Sequence, residues 1–215
     1  MESYLQQYVL NGGWMMAVLL PTSLIAVAFI VQGYVKLRAS RIAPKALMDA
    51  AERLSDEKAA LEFQEMLHEH PAPLGRLAAH LLRLDVVGDD PESDERETDY
   101  LRPALNDEID RLWQETTGLA TIYEVAPLMG LLGTVVGLIE AFGEFVTNPE
   151  HTVESLSTGI NHALITTMWG LMIAIPSYIF VRIFRRKIFR YEKDLLPRRA
   201  KELARIVWKK KQKNR

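Results

Sequence analysis

Thr134, Thr166, Thr167 and His162 lie within two long apolar stretches, and Glu124 and Glu140 bracket one of them. A hydroxyl both donates and accepts hydrogen bonds, and histidine exchanges a proton near neutral pH. Groups of this kind set among apolar residues can carry a proton. Around them, Ala126, Gly130, Gly133, Gly137 and Ala141 recur at spacings of four, three, four and four, which places all five on one helical face. Ala163, Thr167, Gly170, Ala174 and Ser177 form a similar face on the second stretch, with Thr166 and His162 beside it. Small residues let two membrane helices approach closely. Two readings follow from spacing alone: tight packing, with the threonines bonded back to their own helix carbonyls, or a narrow polar path between the two helices.

The elements that must hold these residues are membrane helices. The mean hydropathy of the 215 residues is near zero, but the average hides a segregated chain. No charged side chain occurs from Ser3 to Val35, and none from Ser155 to Val181 apart from His162. A membrane helix needs about 20 mostly apolar residues, so each stretch is long enough to span. All 26 Lys and Arg residues fall in two blocks, Lys36 to Arg111 and Arg182 to Arg215. Basic residues mark cytoplasmic flanks, so the first end of the chain is expected outside and the last end inside, joined by an odd number of spans. The first stretch is followed, not preceded, by basic residues and is too long for a signal-peptide core, which makes it a retained helix.

The organisation expected is all-α, a three-span protein with long helices extending into the cytoplasm. Residues 1–13 form a short outer N-terminus, 14–35 the first span, 36–116 a cytoplasmic helical loop and 117–146 the second span. Residues 147–157 form a short outer loop, 158–184 the third span and 185–215 a basic cytoplasmic tail. Within the loop, a helix opens at Pro44 and breaks at His70-Pro71-Ala72-Pro73, and a second covers Leu74 to Val87. Gly88 to Asp99 has the acidic, apolar-poor composition of a mobile linker, and a long helix is expected from Tyr100, with Pro103 in its first turn. The tail carries Leu195, Leu196, Leu203, Ile206 and Trp208 as a thin apolar stripe among cations, so it reads as a helix able to touch anionic lipid head groups.

The second span is a poor match to lipid. Its charge-free core, Val125 to Ile139, makes only about 22 Å of helix. Glu124 and Glu140 therefore sit at or inside the membrane boundary, where an acid costs roughly 2.5–3.5 kcal/mol. Such a helix should line an interior.

The run Ala126-Pro127-Leu128-Met129-Gly130-Leu131-Leu132-Gly133-Thr134-Val135-Val136-Gly137-Leu138-Ile139 resembles the second-span signature of the TolQ/ExbB/MotA proton-channel family. Gly159-Ile160-Asn161-His162-Ala163-Leu164-Ile165-Thr166-Thr167, followed by Gly170 and Ala174-Ile175-Pro176, resembles its third span, and Gly12-Gly13-Trp14-Met15-Met16 fits the opening of the first. Three spans and a short outer loop are similar to the TolQ/ExbB branch, since MotA-like subunits have four spans. The resemblance implies a pentamer in the bacterial inner membrane around a single-span partner of the ExbD/TolR type, acting on a TonB/TolA-like protein. It implies that the partner supplies an intramembrane aspartate, which Thr134 and Thr167 face, and that protons are the translocated species, with no bound cofactor. Many ExbB-like members carry a glutamate in the third span where this chain has His162.

Other function classes are less well supported. No nucleophile motif, metal-ligand spacing or glycine-rich phosphate loop points to an enzyme, and nothing points to nucleic acid. Glu65, His68, Glu69 and His70 read as a solvated helix end rather than a metal set. The alternative that remains is a membrane scaffold that anchors a complex without conducting.

Overall fold

The computed structural model describes residues 13–54, 57–84, 86–88, 91–147 and 153–212. Among them there is no strand, and three helices are long and apolar enough to cross a membrane, in agreement with an all-α, three-span protein. The order is α1 (Met16–Lys36), α2 (Ala39–Ile42), α3 (Lys45–Glu52), α4 (Glu57–Glu69), α5 (Pro73–Arg83), α6 (Pro91–Thr147) and α7 (Val153–Arg190). A single π-helical turn, Tyr191–Leu195, then leads into α8 (Leu196–Gln212). Two compact units result: Met1–Gln32 with Thr116–Ile183, and Gly33–Glu115 with Phe184–Arg215.

The first unit contains the apolar parts of α1, α6 and α7. Gly118 lets α6 lie against the Phe29 ring of α1, since a Cβ there would fall 2.6 Å from the ring. Pro21 sits inside α1, and nearby hydroxyls bond back to the helix, Thr22 to the Val18 carbonyl at 2.8 Å and Ser23 to the Leu20 carbonyl at 2.7 Å. Large side chains cover the outside: Leu24, Val27 and Val31 on α1, Leu128, Leu131 and Ile139 on α6, and Leu164, Met172 and Ile175 on α7 are all exposed. A water-soluble protein buries such rows; a membrane protein presents them to lipid or to another copy.

The second unit differs from expectation in three places. The acidic stretch after Gly88 is not a linker, because α6 already starts at Pro91 and Pro103 lies well inside it. Proline at the first helical position loses no hydrogen bond, and Glu92 and Asp94 suit the positive end of the helix dipole. Tertiary contacts complete the helix: Ser93 and Glu97 are fully buried, and Arg205 of α8 meets Glu97 at 3.0 Å and Asp94 at 2.7 Å. Lys201 adds 3.0 Å to Asp94 and 2.6 Å to the Thr98 hydroxyl. The helix opened at Pro44 is also interrupted early, with α3 ending at Glu52 and α4 starting at Glu57, and the next helix stops at Arg83 rather than Val87.

The third difference concerns the tail. Its apolar stripe is occupied by protein: Leu196, Ala200, Leu203, Ala204 and Val207 are buried as α8 packs on α3, α4 and α5, leaving Leu195, Ile206 and Trp208 half-buried. The π turn before it aims Tyr191 inward, and its hydroxyl donates to the Leu37 carbonyl at 2.8 Å. Burial raises the Tyr191 pKa, with Arg190 opposing. Arg76 grips Glu108 through two hydrogen bonds of 2.7 and 2.5 Å and also donates to the His70 and Pro71 carbonyls, tying the α4–α5 corner to α6. His70 is part of that corner: its Nδ1 accepts from the Ala72 N–H at 3.1 Å.

Candidate functional site

The small-residue faces of α6 and α7 meet each other. A Cβ on Gly130 would lie 2.8 Å from the Thr166 carbonyl oxygen and 3.0 Å from the Thr167 Cα, and one on Gly170 would lie 2.6 Å from the Ala126 carbonyl oxygen. These neighbours are backbone atoms, so only glycine permits the approach. Gly137 faces Ala163, Gly159 faces Ala141, and Gly133 faces the Thr166 side chain and Met15. The helices therefore run antiparallel with Gly130 level with Gly170, Gly137 with Ala163 and Ala141 with Gly159.

Close approach brings three hydroxyls onto two carbonyls. Thr166 donates to the Ala163 carbonyl at 2.7 Å or the Gly130 carbonyl at 3.1 Å. Thr167 reaches the same Gly130 oxygen at 3.0 Å. Thr134 reaches the Ala163 oxygen across the interface at 3.1 Å and its own Gly130 oxygen at 3.3 Å, and it contacts the Thr167 hydroxyl directly. Each hydroxyl has one proton to give and lone pairs left to accept another. Thr166 is shut in at 2 % exposure, whereas Thr134 and Thr167 are half-buried and keep an open side. The cluster can thus donate outward or accept from outside by rotating hydroxyls, with no charge created within it.

The other candidates are placed less centrally. His162 is half-buried and stands beside a cavity of about 200 Å³ lined also by Glu140, Glu144, Gly133 and Thr166. Glu140 is exposed at the mouth of that cavity, and Glu124 is exposed outside it. Glu144 was missed from sequence, although it follows Glu140 by four residues and so shares its face. Gly159 and Met15 were also missed as packing partners of Ala141 and Gly133, because only the antiparallel register reveals them.

Known proteins of similar sequence point to one family. The family model for the MotA/TolQ/ExbB proton channel family matches residues 44–195. An ExbB-like 3 protein from Synechocystis is 28 % identical over 184 residues, 81 % of each chain. An ExbB-like 1 protein from Helicobacter pylori is 41 % identical over 81 residues, 36 % of this chain and 43 % of that one. The Tol-Pal system protein TolQ of Haemophilus influenzae is 35 % identical over 91 residues, 42 % of this chain and 40 % of its own. Matches of the last two kinds span less than half of the relative's length. A family match over most of the chain and three helices fit to cross a membrane lead to one statement: this multi-pass membrane protein belongs to the MotA/TolQ/ExbB proton channel family.

Proposed function

We propose that the chain is the proton-channel stator subunit of an ExbB–ExbD-like or TolQ–TolR-like complex, coupling proton-motive force to mechanical work on an envelope partner of the TonB/TolA kind. The observation that carries this reading is the hydroxyl cluster, closed on the Thr166 side and open at Thr134 and Thr167. No span contains an aspartate, and the resemblance to ExbB- and TolQ-like proteins implies that the carboxylate such a cluster would serve comes from a single-span partner. The hydroxyls can bond that group whether or not it is protonated. Assembly with other copies follows from the same residues: Glu124 and Glu140 are exposed on the single chain and costly against lipid, so closure shelters them, and the family resemblance implies that the closed ring is a pentamer. Lys and Arg placement puts the N-terminus outside, and residues 36–116 and 184–215 in the cytoplasm.

A non-conducting scaffold is the second reading, favoured by the fact that every hydroxyl of the cluster already has a carbonyl to bond. Proton flux into liposomes carrying the co-purified complex separates the two. The Thr134→Ala, Thr167→Ala double variant is expected to lose flux while the oligomer persists in native mass spectrometry, and Thr→Ser at both sites is expected to retain most of it. Full flux in the double alanine variant would overturn the relay role; no flux in the parent complex would favour the scaffold.

A further inference from the structure

The cavity beside the threonines has no role in the cluster's hydrogen bonding. On α6 its lining extends from Gly133 to Glu144, about 16 Å of helix, and on α7 from Gly159 to Thr166, about 10 Å. With the antiparallel register found above, it runs from the level of Glu144 and Gly159 inward to the buried Thr166. Gly13, Trp14 and Met15, at the start of the first span, close the third side. Gly133, Gly137, Ala141, Gly159 and Ala163, the small residues over which the two helices pack closely, line it as well. At about 200 Å³ with polar groups on two helices, it has room for several waters.

Its charge is one-sided. Among the described residues, the groups facing it that can hold a proton are Glu140 and Glu144 from α6 and His162 from α7; the Gly13–Met15 segment contributes none. Among the described residues no Lys or Arg lines it, and the two carboxylates attract an entering cation. At the inner end the Thr166 hydroxyl binds the Gly130 and Ala163 carbonyls, the same two acceptors that Thr167 and Thr134 use.

We infer that this cavity is a water-filled antechamber within one chain, through which protons reach the threonine cluster, with Glu140, Glu144 and His162 holding them on the way. The inference rests on the proton-channel reading and assigns it an access route inside the subunit. A proton passes by exchange: a hydronium at the mouth gives its proton to a carboxylate or imidazole and becomes water, that group passes the proton to the next water, and no bond to a heavy atom other than oxygen or nitrogen is made or broken.

The chain has no cysteine, so Val136→Cys places a single thiol in the cavity wall, and Leu131→Cys places one on the exposed surface outside it. Each variant complex is treated from the outer side with a charged methanethiosulfonate, and proton flux is compared with its own untreated state. Labelling of Val136→Cys is expected to cut flux by about tenfold or more, roughly 1.4 kcal/mol on the barrier, reversibly with reductant, and Leu131→Cys is expected to show no change. A Val136→Cys thiol that does not react, or that reacts without loss of flux, overturns the antechamber and leaves the channel reading standing. An untreated parent complex that does not conduct overturns the channel reading, and the antechamber with it. A Glu140→Gln, His162→Gln variant tests the proton-holding role: flux should fall severalfold with Val136→Cys still reactive, and unchanged flux removes that role.

Discussion

Replacing Gly130 by alanine probes the α6–α7 register directly. The new Cβ would sit 2.8 Å from the Thr166 carbonyl oxygen, while ordinary contact begins at 3.4 Å, so the helices must separate by 3.4 minus 2.8, or about 0.6 Å. The opposing atoms are backbone and cannot swing aside. An opening of that size stretches the cross-helix bonds from Thr166 and Thr167 to the Gly130 oxygen, now 3.1 and 3.0 Å, and from Thr134 to the Ala163 oxygen, now 3.1 Å, beyond useful length. At about 0.6 kcal/mol for each interhelical bond in a membrane, their loss amounts to roughly 2 kcal/mol. Overpacking adds about 1–3 kcal/mol, and alanine's better helix propensity returns up to about 1 kcal/mol. The net expectation is a destabilisation of about 2–4 kcal/mol, by the same reckoning. Gly143→Ala is the control, since a Cβ there meets open space within the chain. Unfolding by SDS titration, or by steric trapping in bicelles, measures both. Gly130→Ala as stable as the parent and as Gly143→Ala would refute the close contact and the hydroxyl cluster that depends on it.

Three further outcomes can be checked. Orientation is read with single cysteines: Thr152→Cys, outside the described residues, should react with an impermeant reagent in intact spheroplasts, and Glu95→Cys, at an exposed position of α6, only after lysis. Arg205→Ala leaves Glu97 buried without its partner and should cost about 2–3 kcal/mol, somewhat less than a fully buried pair because Arg205 is partly exposed; hydrogen exchange across 91–99 should accelerate, and unchanged protection would contradict the clamp. The same clamp weakens in acid. The Asp94 carboxyl is held below its usual range by the hydrogen bond from Lys201 and then by Arg205. A group whose folded pKa is depressed adds stability above its unfolded pKa and loses it as pH falls through the folded one, so protection of 91–99 should decline below about pH 4. Asp94 is largely exposed, which limits its share to a few tenths of a kcal/mol.

Much of the membrane architecture is legible in the amino-acid sequence because it depends on additive, local quantities. Transfer of a side chain into lipid is a property of that residue, so the charge-free run from Ser3 to Val35 and the confinement of Lys and Arg to two blocks locate spans without any knowledge of contacts. The glycine and alanine face of α6 is equally visible, since the helical period alone places Ala126, Gly130, Gly133, Gly137 and Ala141 on one side. The partner of that face is not visible. Whether Gly130 meets Gly170 or slides by a turn is decided by how two whole helices interlock, and that register determines that Thr134 meets Thr167 and that a cavity opens beside His162. The acidic stretch after Gly88 shows the limit most sharply. By composition it repels itself and should stay unstructured, yet Arg205 and Lys201, more than a hundred residues away in the chain, neutralise it and draw it into helix. Charge cost depends on which opposite charge arrives, and only the tertiary structure decides that.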